Sequence, residues 1–164
     1  MSWSRSGYAT LLLMSLLWVA GILASPLLFH VQKPVAGTGI RMLYSPVCHQ
    51  DVQRTHHVFH WPMAVCHRCS GVYFSFTLVV LFFPLLKRWR FLASFSVRRS
   101  AIFILPMFLD YMLDVAGVWV NSPISRTVSG SIAGIGLAFF TIPAWMEAWS
   151  QLFNPTGKQS ESTQ

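Results

Sequence analysis

The chain has 164 residues, of which 54% are hydrophobic and only 10% charged, and its mean hydropathy is +0.51. A water-soluble domain carries about a quarter charged residues, which excludes that class. The formal net charge of +7 does not argue for nucleic acid, because five of the 12 cations (Lys87, Arg88, Arg90, Arg98, Arg99) crowd one acid-free stretch.

Four apolar runs of about 20 residues, long enough to cross a hydrocarbon core, follow one another at 8–29, 64–86, 101–120 and 128–149. The expectation is an all-α fold. A four-transmembrane-helix bundle would occupy residues 1–153, followed by a disordered polar tail at 154–164. The first run carries no charge. Reading it as a cleaved signal peptide, with Arg5 as the basic region and a cut at Ala24-Ser25, conflicts with its length and with Pro26 beyond the cut.

A polar segment, 30–63, follows the first run and contains Cys48-His49-Gln50. The second run opens on Cys66-His67-Arg68-Cys69-Ser70-Gly71, so all three cysteines gather at one membrane edge. With Cys66 and Cys69 on the first turn of a helix, spacing of three places them on one face. The positive helix end and Arg68 would favour thiolates there. The cationic stretch 87–99 comes next. Positive residues concentrate on the cytoplasmic side, so this loop and both termini are expected to be cytoplasmic, with 30–63 and 121–126 outside. Lys33, Arg41 and Arg54 in the first outer segment run against that rule.

The third run carries Asp110 and Asp114, which share a helix face at i,i+4 spacing. Intramembrane carboxylates are costly and face a partner or a function. A packing pair with Arg68 or Arg126 is one reading, and a proton- or ligand-handling pair beneath the cysteines is the other. Asn121 and Arg126 emerge on the same side. The fourth run opens with Gly130-Ser131-Ile132-Ala133-Gly134, a small-xxx-small pattern that lets helices approach closely. An internal packing face is expected, with a homo-oligomer through Gly130 and Gly134 as the alternative.

Two chemistries fit the cysteines. A Cys-x2-Cys pair with Cys48 and an imidazole, His49 first among several, makes a zinc-type ligand set; iron and copper also accept thiolate and imidazole. Thiols at a helix end also suit disulfide exchange with a membrane quinone, although only one cysteine remains beyond the pair. A structural disulfide from Cys48 to Cys66 or Cys69 would leave an odd thiol. Covalent c-type haem is disfavoured, because Cys69 is followed by Ser70 and not by His. The candidate metal ligands are therefore Cys48, His49, Cys66 and Cys69. Arg68, Asp110, Asp114, Asn121 and Arg126 are the candidates for binding an anionic or quinone-like ligand, or for supporting the metal site. The expected partner is membrane lipid, with no nucleic acid.

The order Cys48-His49-Gln50, Arg54, Cys66-x-Arg68-Cys69-Ser70-Gly71-x-Tyr73 resembles domain-of-unknown-function family 2085, small bacterial membrane proteins. Asp110, and Asn121-Ser122 leading to Arg126 and Gly130, extend the resemblance over residues 41–136. His67 stands where the family has a small residue and Ser75 where it has glycine; Tyr111 and Asp114 replace Gly and Gln. The resemblance implies a multi-span protein of the bacterial inner membrane and names no reaction.

Overall fold

The computed structural model describes residues 4–86 and 97–153. The expectations for Lys87, Arg88 and Arg90 and for the tail at 154–164 lie outside the described residues. Helix α1 (Arg5–His30) starts at Ser4, whose hydroxyl accepts the Gly7 N–H at 3.3 Å. It is followed by α2 (Pro34–Tyr44), a 3-10 turn (Val52–Arg54), strands β1 (Thr55–Val58) and β2 (Trp61–Cys66), then α3 (His67–Leu86), α4 (Val97–Val115) and α5 (Pro123–Phe153).

Among the described residues three helices are long and apolar enough to cross a membrane: α1, the His67–Leu85 part of α3, and α5. At 1.5 Å per residue the 26 residues of α1 span about 39 Å, against a hydrocarbon core of about 30 Å. The expected fourth span, α4, is not among them: Arg98, Arg99, Asp110 and Asp114 dilute its apolar character. It also ends at Val115, not at residue 120. Gly117 (φ 69°) terminates it, and the Val118 N–H reaches back to the Leu113 carbonyl at 3.2 Å. Leu17 on α1, Leu78 and Leu85 on α3, and Ile102 and Phe108 on α4 are exposed. Lipid is the medium that tolerates so broad an apolar surface.

Segment 30–63, expected as an outer loop, is structured. Pro34 opens α2 in the helix position where its missing N–H does no harm. The antiparallel hairpin β1–β2 turns at Phe59 and His60, both with positive φ (51° and 67°), the backbone of a two-residue primed turn. Phe29 stacks on Trp61 at 5.2 Å and His30 on Phe59 at 4.7 Å, so the hairpin leans on the end of α1. Residues 64–66, expected to begin the second span, are instead the end of β2.

These elements cap one end of the bundle, over a buried cluster of Ile22, Tyr44, Cys48, Met63, Ala64 and Val65. A second cluster (Leu11, Val80, Phe83, Ala138, Ile142) fills the body between α1, α3 and α5. At the far end the Tyr8 hydroxyl donates to the Val80 carbonyl at 3.0 Å, and Trp145 Nε1 donates to the Gly7 carbonyl at 2.9 Å.

Helices α3 and α5 touch backbone to backbone. A methyl on Gly130 would collide with the Arg68 carbonyl, one on Gly134 with the Val72 carbonyl, and one on Gly71 with the Thr127 carbonyl. The small residues of the fourth run are thus occupied within the chain. Gly130→Ala is expected to destabilise the protein by about 1–3 kcal/mol through overpacking. Gly39→Ala in α2, where nothing lies within 4 Å, should be neutral or stabilising by up to about 1 kcal/mol. Thermal unfolding in detergent checks both.

Candidate functional site

The three cysteines come from three differently held backbones. Cys48 lies in the turn after α2, where its N–H donates to the Tyr44 carbonyl at 3.0 Å. The latch is Gln50: its Nε2 donates to the Arg41 carbonyl at 2.6 Å and to the Ala64 carbonyl at 2.7 Å, tying the turn to β2. Gln50 itself has φ 52°, which bends the chain enough to let its side chain reach back. Cys66 ends β2 and Cys69 follows on the first turn of α3, so the expected pairing on one helical turn becomes a strand end facing a helix start.

The sulfurs of Cys48, Cys66 and Cys69 all lie within 4.8 Å of one another, and none is in a disulfide. The Cys66 backbone N–H donates to the Cys48 sulfur at 3.2 Å. Cys48 is buried and the other two are half-buried. Hydrogen bonds from the Cys48 and Cys69 thiols hold Cys66 well below the ordinary thiol range, and the Cys66 sulfur in turn pushes Cys48 up. Of this pair, Cys66 is the thiol that ionises more readily. The main cause is the neighbouring thiols, which sequence spacing had not indicated. No imidazole belongs to this group among the described residues; His49 is exposed and lines a neighbouring cavity instead.

Beside the sulfurs an ion-pair network joins four elements. Arg68 on α3 donates to Asp110 Oδ2 on α4 from Nε (3.0 Å) and from a terminal nitrogen (2.7 Å). Asp114 receives Arg126 from α5 at 3.3 Å, Arg54 from the 3-10 turn at 3.5 Å and Arg68 at 3.8 Å. The Arg68 guanidinium also lies 5.5 Å over the Tyr111 ring. Asn121 Nδ2 donates to the Asp110 backbone carbonyl at 2.6 Å, folding the 116–122 connection back onto α4. All five residues proposed from sequence as ligand-binding meet here. Arg54 and Tyr111 join them without having been singled out for that role; neither periodicity nor spacing connects a loop arginine to a helix that begins over 40 residues later.

His56, one of the histidines near enough in sequence to offer a metal a nitrogen, lies outside the sulfur group and contacts Thr127, which was not anticipated. His56 Nε2 lies 3.0 Å from the Thr127 hydroxyl, and the ring meets His67 edge-on at 4.2 Å, so the hairpin is pinned to both α5 and α3. Burial, then the adjacent His57, lowers the His56 pKa and so favours the neutral ring.

A family model described as a predicted membrane protein, DUF2085, matches residues 48–140, a stretch that begins at Cys48 and takes in every residue of both clusters. An uncharacterized protein of Methanocaldococcus jannaschii is 31% identical over 108 residues, covering 64% of this chain and 67% of that protein. An uncharacterized protein of Methanothermobacter thermautotrophicus is 28% identical over 103 residues, covering 61% of this chain and 88% of its own length. No solved structure matches. Both relatives are archaeal, so the bacterial setting implied by the resemblance is not supported, whereas the membrane is.

A lowered pKa keeps the Cys66 thiolate until pH falls through that lowered value. In chelator-treated protein, iodoacetamide labelling of Cys66 is expected to fall less than about threefold from roughly pH 8 to pH 6, against about 75-fold for an ordinary thiol. Replacing Cys48 and Cys69 by Ala, which removes both donors, should restore the ordinary profile, read by peptide mass spectrometry. Gln50→Ala strands two backbone carbonyls at a cost of about 1–3 kcal/mol. It should also raise Cys48 labelling in the native protein, and unchanged protection of Cys48 would contradict the latch.

Proposed function

The chain belongs to the predicted membrane protein family DUF2085, and we propose that it is a four-span membrane protein whose three cysteines bind one soft metal ion, zinc first, at the outer end of the bundle. The observation that carries this reading is the convergence of three sulfurs within 4.8 Å. Tetrahedral zinc with Zn–S of about 2.3 Å needs sulfurs about 3.8 Å apart, within side-chain adjustment of that spacing. A thiolate already favoured at Cys66 suits it as the first ligand. Iron and copper(I) accept the same donors. The fourth coordination position falls to solvent or to a bound ligand, because the sulfur group includes no imidazole among the described residues.

The crossing of α4 is supported by the pairing of its carboxylates. Asp110 and Asp114 are paired with Arg68 and Arg126 of the neighbouring helices, and pairing removes most of the cost of acids in a span. Its C-terminal end lies beside the N-terminal ends of α3 and α5, as an up-and-down bundle requires. Four spans would put both termini on one side, and the cationic stretch assigns that side to the cytoplasm.

A second reading has one observation in its favour. A cleft of about 330 Å³ between α1, α3 and α5, walled by Leu11, Phe76 and Leu137 with Trp18 and Tyr73 among its lining, lies below the sulfurs and is almost wholly apolar. Tyr73 follows Cys69 by one helical turn. A quinone held there would accept two electrons and two protons from two cysteine thiols, becoming the quinol as the thiols join in a disulfide.

Elemental analysis of purified protein separates the two. About one equivalent of zinc, lost in Cys66→Ser with the protein still folded by circular dichroism, is the expected result. Metal-free protein whose free thiols fall by two on addition of a short-chain quinone would overturn the metal reading in favour of the redox one.

A further inference from the structure

A second site adjoins the sulfurs. A cavity of about 330 Å³ opens between the 3-10 turn, the start of α3, the end of α4 and the start of α5. Arg54, Arg68, Arg126, Asp51, His67 and Cys66 are among the residues that line it. Its volume is at the lower end of the range for small-molecule sites.

Two buried polar atoms in its wall have no partner: Nε of Arg126, a residue 9% exposed, and Nδ1 of His67, a residue 5% exposed. Buried polar atoms in native proteins are almost always satisfied, so two orphans on residues that line one cavity point to an occupant. The charges indicate its sign. Three guanidiniums line the cavity, while Asp110 and Asp114, which hold them in place, are not part of its wall. The buried cations of the wall are Arg68 and Arg126, whose side chains are 15% and 10% exposed. Arg54, 50% exposed, pairs with Asp51, 46% exposed, at 3.4 Å, so solvent screens both of them. Carboxylates that fix guanidiniums from one side leave their remaining N–H groups free for a ligand on the other. Planar forks of this kind match carboxylate and phosphate oxygens.

We propose that this cavity binds an oxyanion group, held by Arg54, Arg68 and Arg126 immediately beside Cys66. The proposal goes beyond the metal reading, since the orphaned atoms and the guanidinium wall are present whether or not the thiols hold metal. The oxyanion belongs either to a soluble ligand or to a lipid headgroup, and both present the same chemistry at the membrane edge.

The test uses the full chain, delipidated in neutral detergent, with inorganic phosphate as the probe and chloride at matched ionic strength as the control. Saturable binding by calorimetry is expected, weakened tenfold or more in Arg126→Gln and in Arg54→Gln. Arg54 lies outside the helices with a half-exposed side chain, so Arg54→Gln keeps the reading falsifiable if Arg126→Gln fails to fold. A second arm reconstitutes the protein in phosphatidylcholine bilayers with and without phosphatidylglycerol. Stabilisation by phosphatidylglycerol alone, lost in the same variants, would identify the oxyanion as a lipid headgroup. Absence of binding in both arms, or binding unchanged in both variants, would overturn the proposal and leave the orphaned atoms to water. Metal content is measured on every sample; retained metal in Arg54→Gln separates failure of this site from failure of the metal reading.

Discussion

The backbone contact between α3 and α5 is the constraint on which the rest of the structure depends. Three glycines, Gly71, Gly130 and Gly134, let each helix rest on carbonyl oxygens of the other. In a membrane no hydrophobic force draws two apolar helices together, so association relies on close van der Waals approach. Here that approach also fixes register. Gly130 sits against the Arg68 carbonyl, which sets Arg68 and Arg126, one turn above on α5, side by side. Both guanidiniums then face α4 together. The same crossing places Cys69 and the end of β2 above it, so the sulfur cluster takes its position from a contact that contains no sulfur.

The order of dependence continues into α4. Its two carboxylates are 13% and 12% exposed, and each is paired with an arginine of α3 or α5. Breaking a buried pair by removing one partner leaves an uncompensated charge, which is far more costly than never having had the pair. Helix α4 therefore docks as a consequence of the α3–α5 contact. Its weak apolar character is the sequence counterpart of that dependence: a helix with two acids is not a stable span until its neighbours supply cations.

Legibility in the sequence followed the range of the interactions. The apolar runs are local in sequence and were readable, with ends displaced by a few residues where caps intervene, as at Gly117. The i,i+4 relation of Asp110 and Asp114 and the arginine partners Arg68 and Arg126 were readable because helix periodicity and the cost of buried charge restrict the options. Segment 30–63 was not readable as a hairpin. Its turn uses Phe59 and His60 at positive φ, where Asn-Gly would have been the signal, and stacking on Phe29 and His30 of α1 compensates the backbone. Pro34 did offer a helix-start signal for α2. For the site, the cysteine motif identified the sulfurs but not their company. His49 adjoins Cys48 in sequence yet lies outside the sulfur group, whereas Gln50, the least reactive member of the motif, holds it in place.

Cys66 is the residue at which these constraints meet. Its N–H supports the Cys48 sulfur, its own sulfur belongs to the three-thiol group, and it lines the arginine cavity. It is also the junction where β2 passes into α3 without an intervening loop, so it has little freedom to move independently of either. Any charge added to its sulfur or drawn from it is felt by the guanidiniums paired with Asp110 and Asp114. Any group entering the cavity meets that sulfur as part of the wall. The arrangement makes the thiol cluster and the charge network one electrostatic unit, mounted on the rigid α3–α5 crossing and closed over by the hairpin.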